Sequence, residues 1–233
     1  ILDTGAIERV YAFINNDLPG IMTVNSARAY LNRYGILISK NIVICTNNDS
    51  AYETALELKN AEAKVTILEI REQIGNRLLR QISGSGINLF LGSGVAKAEK
   101  GFNNSSISKI KIVEMTDDGW RYAGNLFCDC LLISAGWSPV IHLASHQNFP
   151  INWNEENACF ISFGDEKSVF LVGSAAGIWQ QKQCINSAKE LFKYNSKQKY
   201  KHSSIKGGWE TPITPLYEIS LASIRGKAFV DPQ

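Results

Sequence analysis

A strand–helix–strand alternation over residues 41–70 constrains this chain most. Asn41-Ile42-Val43-Ile44-Cys45 is a short apolar, β-branched run. Ser50 to Asn60 carries Ala51, Ala55, Leu56 and Leu58 with helical spacing, and Lys64 to Ile70 (KVTILEI) is apolar again. Two such strands bracketing a helix form a parallel βαβ unit with a right-handed crossover. Parallel strands are buried on both faces, so they read as continuous apolar runs. Cys130 to Ser134 (CLLIS) and Val169 to Val172 (VFLV) have that form, ending at Ala135-Gly136 and at Gly173-Ser174-Ala175-Ala176-Gly177. The fold class expected is α/β.

The flanking segments supply the rest. Asn15-Asn16-Asp17-Leu18-Pro19-Gly20 is a turn cluster. Thr23 to Tyr34 has helical spacing and stops at Gly35, and a second helix is expected over Glu72 to Gln81, before a short strand at Ile87 to Leu91. Ser106 to Met115 alternates polar and apolar residues, the pattern of a half-buried antiparallel strand. Thr116-Asp117-Asp118-Gly119 is a hairpin turn, returning through Trp120 to Leu126 as a small antiparallel meander. A last helix is expected from Trp179 to Tyr194.

A net charge of +2 argues against a nucleic-acid-binding surface, which carries a strong basic excess. No apolar run approaches the roughly 18 residues needed to cross a bilayer. The start, Ile1-Leu2-Asp3-Thr4-Gly5, lacks an initiator Met and a signal-peptide pattern. The expectation is a soluble, cytoplasmic chain that begins in mid-protein. Cys45, Cys128, Cys130, Cys159 and Cys184 are odd in number and irregularly spaced, which suits buried small hydrophobes in a reducing compartment. On a strand, Cys128 and Cys130 would share a face. His142 and His146 are four apart but no third ligand accompanies them, so no metal site is predicted. The basic run Lys189, Lys193, Lys197, Lys199, Lys201 and Lys206 reads as a solvated helix end and linker, or as a contact for an acidic partner. No catalytic residue is predicted.

Nucleotide binding in α/β folds needs strand ends that stop at small residues, with a helix N-terminus beyond them to face the phosphates. Three corners qualify by position: Thr4-Gly5-Ala6, Thr46-Asn47-Asn48-Asp49-Ser50, and Gly173 to Gly177. The second stands where a G-x-G-x-x-G fingerprint belongs and contains no glycine. Its amides crowd a pyrophosphate and Asp49 repels one, so the unit is expected to be a poor or vestigial site, with Asp49 or Ser50 capping the helix. The candidate cofactor-binding residues are Thr4, Gly5 and Ala6 at the first corner, Gly173, Ser174 and Ala175 at the third, and Gly136 after the CLLIS run. A tight strand exit at Thr4-Gly5-Ala6 and close helix–strand packing at Gly173 to Gly177 are the structural alternatives.

Several of these segments resemble the alpha subunits of heterotetrameric sarcosine oxidases: Thr4 to Arg9, Asn15 to Met22, Tyr30 to Gly35, Thr46 to Tyr52, Gly136-Trp137-Ser138-Pro139 with His142-Leu143 and Ser145-His146, Gly173 to Gly177, and Gly226 to Asp231. The glycine-free Thr46-Asn47-Asn48-Asp49-Ser50-Ala51-Tyr52 is the most specific. The resemblance implies an FAD/NAD-binding, two-dinucleotide-domain (disulfide-reductase-like) fold. It implies residues 1–35 and 126–195 as the back of an outer nucleotide domain incomplete at its N-terminus. Residues 36–125 would be an inserted Rossmann-like domain, and 196–233 a linker toward a folate-associated half. It further implies NAD in this subunit, FAD and FMN in a beta subunit, gamma and delta partners, and tetrahydrofolate as acceptor of the carbon released when sarcosine becomes glycine and oxygen becomes hydrogen peroxide. In flavin-binding relatives an Asp usually follows the glycine at the place of Gly173. Ser174 stands there, in keeping with a cofactor other than FAD. The large subunit of an opine, proline or cyanide-forming amine dehydrogenase, and a scaffold module without cofactor, are the alternatives.

Overall fold

The computed structural model describes residues 1–101, 106–162, 169–192, 209–221, 223–224 and 226–228. They fall into two units: residues 1–8 with 137–213, and residues 9–136 with 214–233. The chain opens in the first unit with β1 (Ala6–Glu8) and crosses into the second after Glu8.

The second unit runs β2 (Ile21–Thr23), α1 (Val24–Tyr34), β3 (Asn41–Thr46), α2 (Ser50–Asn60), β4 (Lys64–Glu69), α3 (Asn76–Ile82) and β5 (Asn88–Phe90). A meander of β6 (Ser93–Lys100), β7 (Ile107–Thr116) and β8 (Gly119–Phe127) follows, and β9 (Cys130–Ser134) closes it. The sheet order is β2-β9-β3-β4-β5, parallel throughout. Side-chain alternation sorts its apolar residues into two cores. Ile42, Ile44, Val65, Ile67 and Leu132 pack with α1, α2 and α3, whereas Val43, Cys45, Leu68, Leu131 and Ile133 pack with the meander.

The helices begin and end where the local chemistry dictates. Thr23 caps α1, its Oγ1 accepting the Ser26 N–H at 3.3 Å, and α1 stops at Gly35. Arg28 on α1 forks onto Glu57 of α2, with Nε–Oε2 at 3.1 Å and Nη2–Oε1 at 2.7 Å, fixing the two helices side by side.

The first unit contains β1 and, after Gly136, β10 (Trp137–Pro139), α4 (His142–His146), β11 (Ile151–Asn154), β12 (Cys159–Ser162), a 3-10 turn at Gly173–Ala176 and α5 (Gln181–Phe192). β1 pairs antiparallel with β10, and β11 with β12. No helix among the described residues is long and apolar enough to cross a membrane.

Several expectations need revision. The units divide at 8/9 and 136/137, not at 35/36 and 125/126, because β2 and β9 hydrogen-bond into the same sheet as β3. β9 is apolar on both faces, which the helices and the meander cover, while β2 and β3 pair its two edges. β6 is an unforeseen strand: its Gly, Ala and Lys content carries little β propensity, yet Val95, Ala96 and Ala98 are buried against β7. α3 starts only at Asn76, after Gly75. Residues 169–172 form a single parallel bridge, Leu2 with Leu171, rather than a strand. Cys128 lies between β8 and β9, so it enters the meander-side core while Cys130 enters the helix-side core; they do not share a face. Lys193, Lys197, Lys199, Lys201 and Lys206 lie outside the described residues.

The turn cluster ends at Gly20, whose φ is +94°; a Cβ there would stand 2.7 Å from Ile107 Cγ2 and 3.2 Å from the Asp129 carbonyl oxygen. Gly20→Ala therefore combines backbone strain with overpacking, and a loss of about 2 kcal/mol is expected in urea unfolding. An unchanged midpoint would show that the loop moves aside freely.

Candidate nucleotide sites

In the first unit, the backbone brings two of the predicted corners together. Leu2 N–H donates to the Phe170 carbonyl at 2.7 Å and Val172 N–H to the Leu2 carbonyl at 3.0 Å. The two segments therefore run parallel and stop on the same side, at Thr4-Gly5-Ala6 and at Gly173-Ser174-Ala175. Thr4 Oγ1 donates to the Val140 carbonyl at 2.5 Å, and the Gly5 carbonyl accepts the Val140 N–H at 3.0 Å. Ala6 is paired with Pro139. A Cβ on Gly5 would meet nothing within 4 Å, so that edge is open.

Gly173 is buried with φ +61°, and a Cβ there would stand 3.1 Å from Asp3 Oδ1. Its N–H donates to Ser187 Oγ of α5 at 3.0 Å, and that hydroxyl donates to the Cys184 carbonyl at 2.7 Å. Ser187 thus ties α5 to the strand end. Asp3 was missed by sequence reasoning. Its carboxylate is an acceptor for sugar hydroxyls and repels phosphate, so the corner at Gly173 suits the ribose part of a nucleotide. Small residues at both stops and the open edge at Gly5 fit a nucleotide, whereas Gly173 is followed directly by the 3-10 turn and α5 begins only at Gln181. Among the described residues, the buried side-chain polar atoms Ser162 Oγ, Gln183 Oε1 and Trp209 Nε1 have no hydrogen-bond partner, and all belong to this unit. Gly136, the seventh candidate, lies in the other unit, its carbonyl accepting the Arg9 N–H at 2.8 Å.

The corner of the second unit is filled from within. Thr46, Asn47 and Asn48 are fully buried and Asp49 is nearly so. Asn48 Nδ2 donates to the Ser134 carbonyl at 3.1 Å and to Ser134 Oγ at 3.0 Å, joining β3 to β9. Asn47 Nδ2 donates to the Thr214 carbonyl at 2.7 Å. The expected cap is corrected: neither Asp49 nor Ser50 caps α2. Asn48 Oδ1 accepts both the Ser50 N–H at 3.2 Å and the Ser50 hydroxyl at 2.6 Å. Asp49 sits at the cap position with helical φ and ψ, so its side chain is aimed elsewhere. Its Oδ1 accepts from Arg71 Nη1 at 2.9 Å. Arg71 also reaches Glu69 through Nε at 3.0 Å and Nη2 at 2.9 Å, and Tyr52 O–H donates to Glu69 Oε2 at 2.8 Å.

Burial pushes the Glu69 carboxyl above its usual range, with the Arg71 and Tyr52 donors pulling it partly back. Burial and then Glu69 push the Tyr52 hydroxyl up, so it remains a donor. Burial opposes the charge on Arg71, but Glu69 and Asp49 hold its pKa above the usual value. The buried cysteines of the second unit are poor nucleophiles: burial pushes Cys45, Cys128 and Cys130 each up to about 12.

No protein-family model matches the chain. It is 32% identical over 181 residues to sarcosine oxidase subunit alpha of Corynebacterium sp. (strain U-96), covering 76% of this chain and 18% of that protein. It is 29% identical over 188 residues to the subunit of the same name from Corynebacterium sp. (strain P-1), covering 80% and 19%. The chain thus spans about a fifth of the length of the curated relatives it matches. Among solved structures, T. acidophilum thioredoxin reductase is similar with a TM-score of 0.61 at 14% identity, covering 80% of this chain and 60% of that one. The fold is accordingly of the FAD/NAD-binding, disulfide-reductase-like kind.

Proposed function

We propose, on the premise that this chain is a relative of the sarcosine oxidase alpha subunits, that it forms a nucleotide-holding, non-catalytic part of an amine-oxidising flavoenzyme complex. The observation that carries this reading is the parallel bridge at Leu2 and Leu171, which sets two short segments ending in small residues beside each other at one edge. The nucleotide is NAD. Thr4, Gly5 and Ala6 leave its backbone approach open. Asp3 accepts from a ribose hydroxyl, and Ser187 holds Gly173 and α5 in place for Ser174 to line the sugar, while Ala175 is fully buried. A bound NAD would bring a nicotinamide capable of hydride exchange; the residues of this chain bind and orient it.

Oxidation of sarcosine to glycine takes place in this reading at flavin on a beta subunit, with gamma and delta partners and tetrahydrofolate serving the complex. Calorimetric titration of the chain with NAD tests the site. Micromolar binding is expected, weakened at least about tenfold by Gly173→Val, a loss of roughly 1.4 kcal/mol. No heat at millimolar NAD would overturn the proposal.

A further inference from the structure

We infer that Arg71 acts as an internal ligand of the second unit, occupying the place a dinucleotide takes in a βαβ fold and closing that corner to nucleotides. A dinucleotide-binding βαβ unit offers two fixed features: the N-terminus of its helix, which receives the pyrophosphate, and an acid at the end of the second strand, which holds the ribose. Both positions are present. The N-terminus of α2 carries Asp49, and Glu69 closes β4. The guanidinium of Arg71 spans them at 2.9 Å on either side.

The charge assignments are inverted relative to a nucleotide site. The negative charge at the helix N-terminus is supplied by Asp49 instead of phosphate. The ribose acid is satisfied by Arg71 and Tyr52 instead of hydroxyls. Arg71 is 3% exposed, Asp49 5% and Glu69 0%, so the arrangement is a core element and not a surface ion pair. The Asn47 and Asn48 amides seal its rim onto Thr214 and Ser134. A dinucleotide could enter only by expelling a buried cation and leaving the Asp49 carboxylate to face its phosphates. This inference concerns the second unit alone and stands whether or not the first unit binds NAD.

The test is chemical rescue. Arg71→Ala leaves an acid-lined cavity shaped for a guanidinium group. Its melting temperature should fall by roughly 10 °C. Millimolar guanidinium or methylguanidinium should restore about half of that loss in a saturable manner, while sodium chloride at the same ionic strength should not. Equal responses to guanidinium and sodium would overturn the inference. Should Arg71→Ala not fold, the unaltered chain decides by hydrogen exchange with 1 mM NAD: unchanged exchange over residues 41–52 and 64–71 supports it, and new protection there overturns it. Failure of NAD to bind anywhere would sink the proposed function and leave the rescue result to stand by itself.

Discussion

Arg71→Met should lower the unfolding free energy by about 3–5 kcal/mol at neutral pH. The methionine keeps much of the buried stem, so the loss reports the charge and the guanidinium's hydrogen bonds, among them Nε and Nη2 to Glu69 and Nη1 to Asp49. What remains is two carboxylates in the interior without their guanidinium. Replacing the whole network with neutral groups, in Asp49→Asn/Glu69→Gln/Arg71→Met, should recover most of the deficit, because removal of every charge avoids the desolvation cost that removal of one partner exposes.

The pH dependence has a definite sign. Glu69 is raised in the folded state even with Arg71 present, burial being the main cause. A raised carboxyl contributes its full stability below the unfolded pKa, roughly 4.3, and loses it as pH climbs through the folded pKa. Without Arg71 the folded pKa climbs further. The deficit of the Met variant should then be small near pH 4 and full near pH 7, by urea unfolding at each pH. A deficit of equal size at both would point to packing alone.

The parallel core was legible because it rests on periodicity. NIVIC, KVTILEI and CLLIS are apolar on both faces, and the structure pairs all three with no register ambiguity. The hairpin at Asp117-Asp118 was legible for a local reason: a two-residue turn specifies its own flanks, and Thr116 pairs with Gly119 as expected. β6 was not, since nothing local in Ser93-Gly94-Val95-Ala96-Lys97-Ala98-Glu99-Lys100 favours a strand; β7 imposes it.

The same division holds at the two corners. A missing glycine motif is a local fact, and the obstruction by Asn47, Asn48 and Asp49 could be inferred from it. The partner that fills the corner could not. Arg71 is 22 residues from Asp49 in sequence and meets it only because β4 returns parallel to β3. The available signal was the spacing Glu69-x-Arg71 at a strand end, which places both side chains on one face. Asp3 was missed for the same reason: its proximity to Gly173 depends on a bridge between residues 2 and 171.

Asn48→Asp isolates the amide of the second corner with almost no change in shape. The amide donates through Nδ2 to the Ser134 carbonyl and hydroxyl and to Thr46 Oγ1, and accepts through Oδ1 from Ser50. An ionised aspartate preserves only the accepting half. It sets an oxygen against the Ser134 carbonyl and places a further buried negative charge next in sequence to Asp49. The loss should reach about 3–4 kcal/mol at pH 7, combining unsatisfied buried polar groups with an uncompensated charge. Burial beside Asp49 raises the new carboxyl in the folded state. Its protonated form, which regains one donor, is the form present below an unfolded pKa of roughly 3.9. Stability should therefore approach that of the unaltered chain near pH 4 and fall as pH rises, whereas Asn48→Ala, which removes the same donors without adding charge, should show a deficit nearly independent of pH. Parallel pH profiles for the two variants would mean that the corner tolerates a third carboxylate, and that its closure owes little to electrostatics.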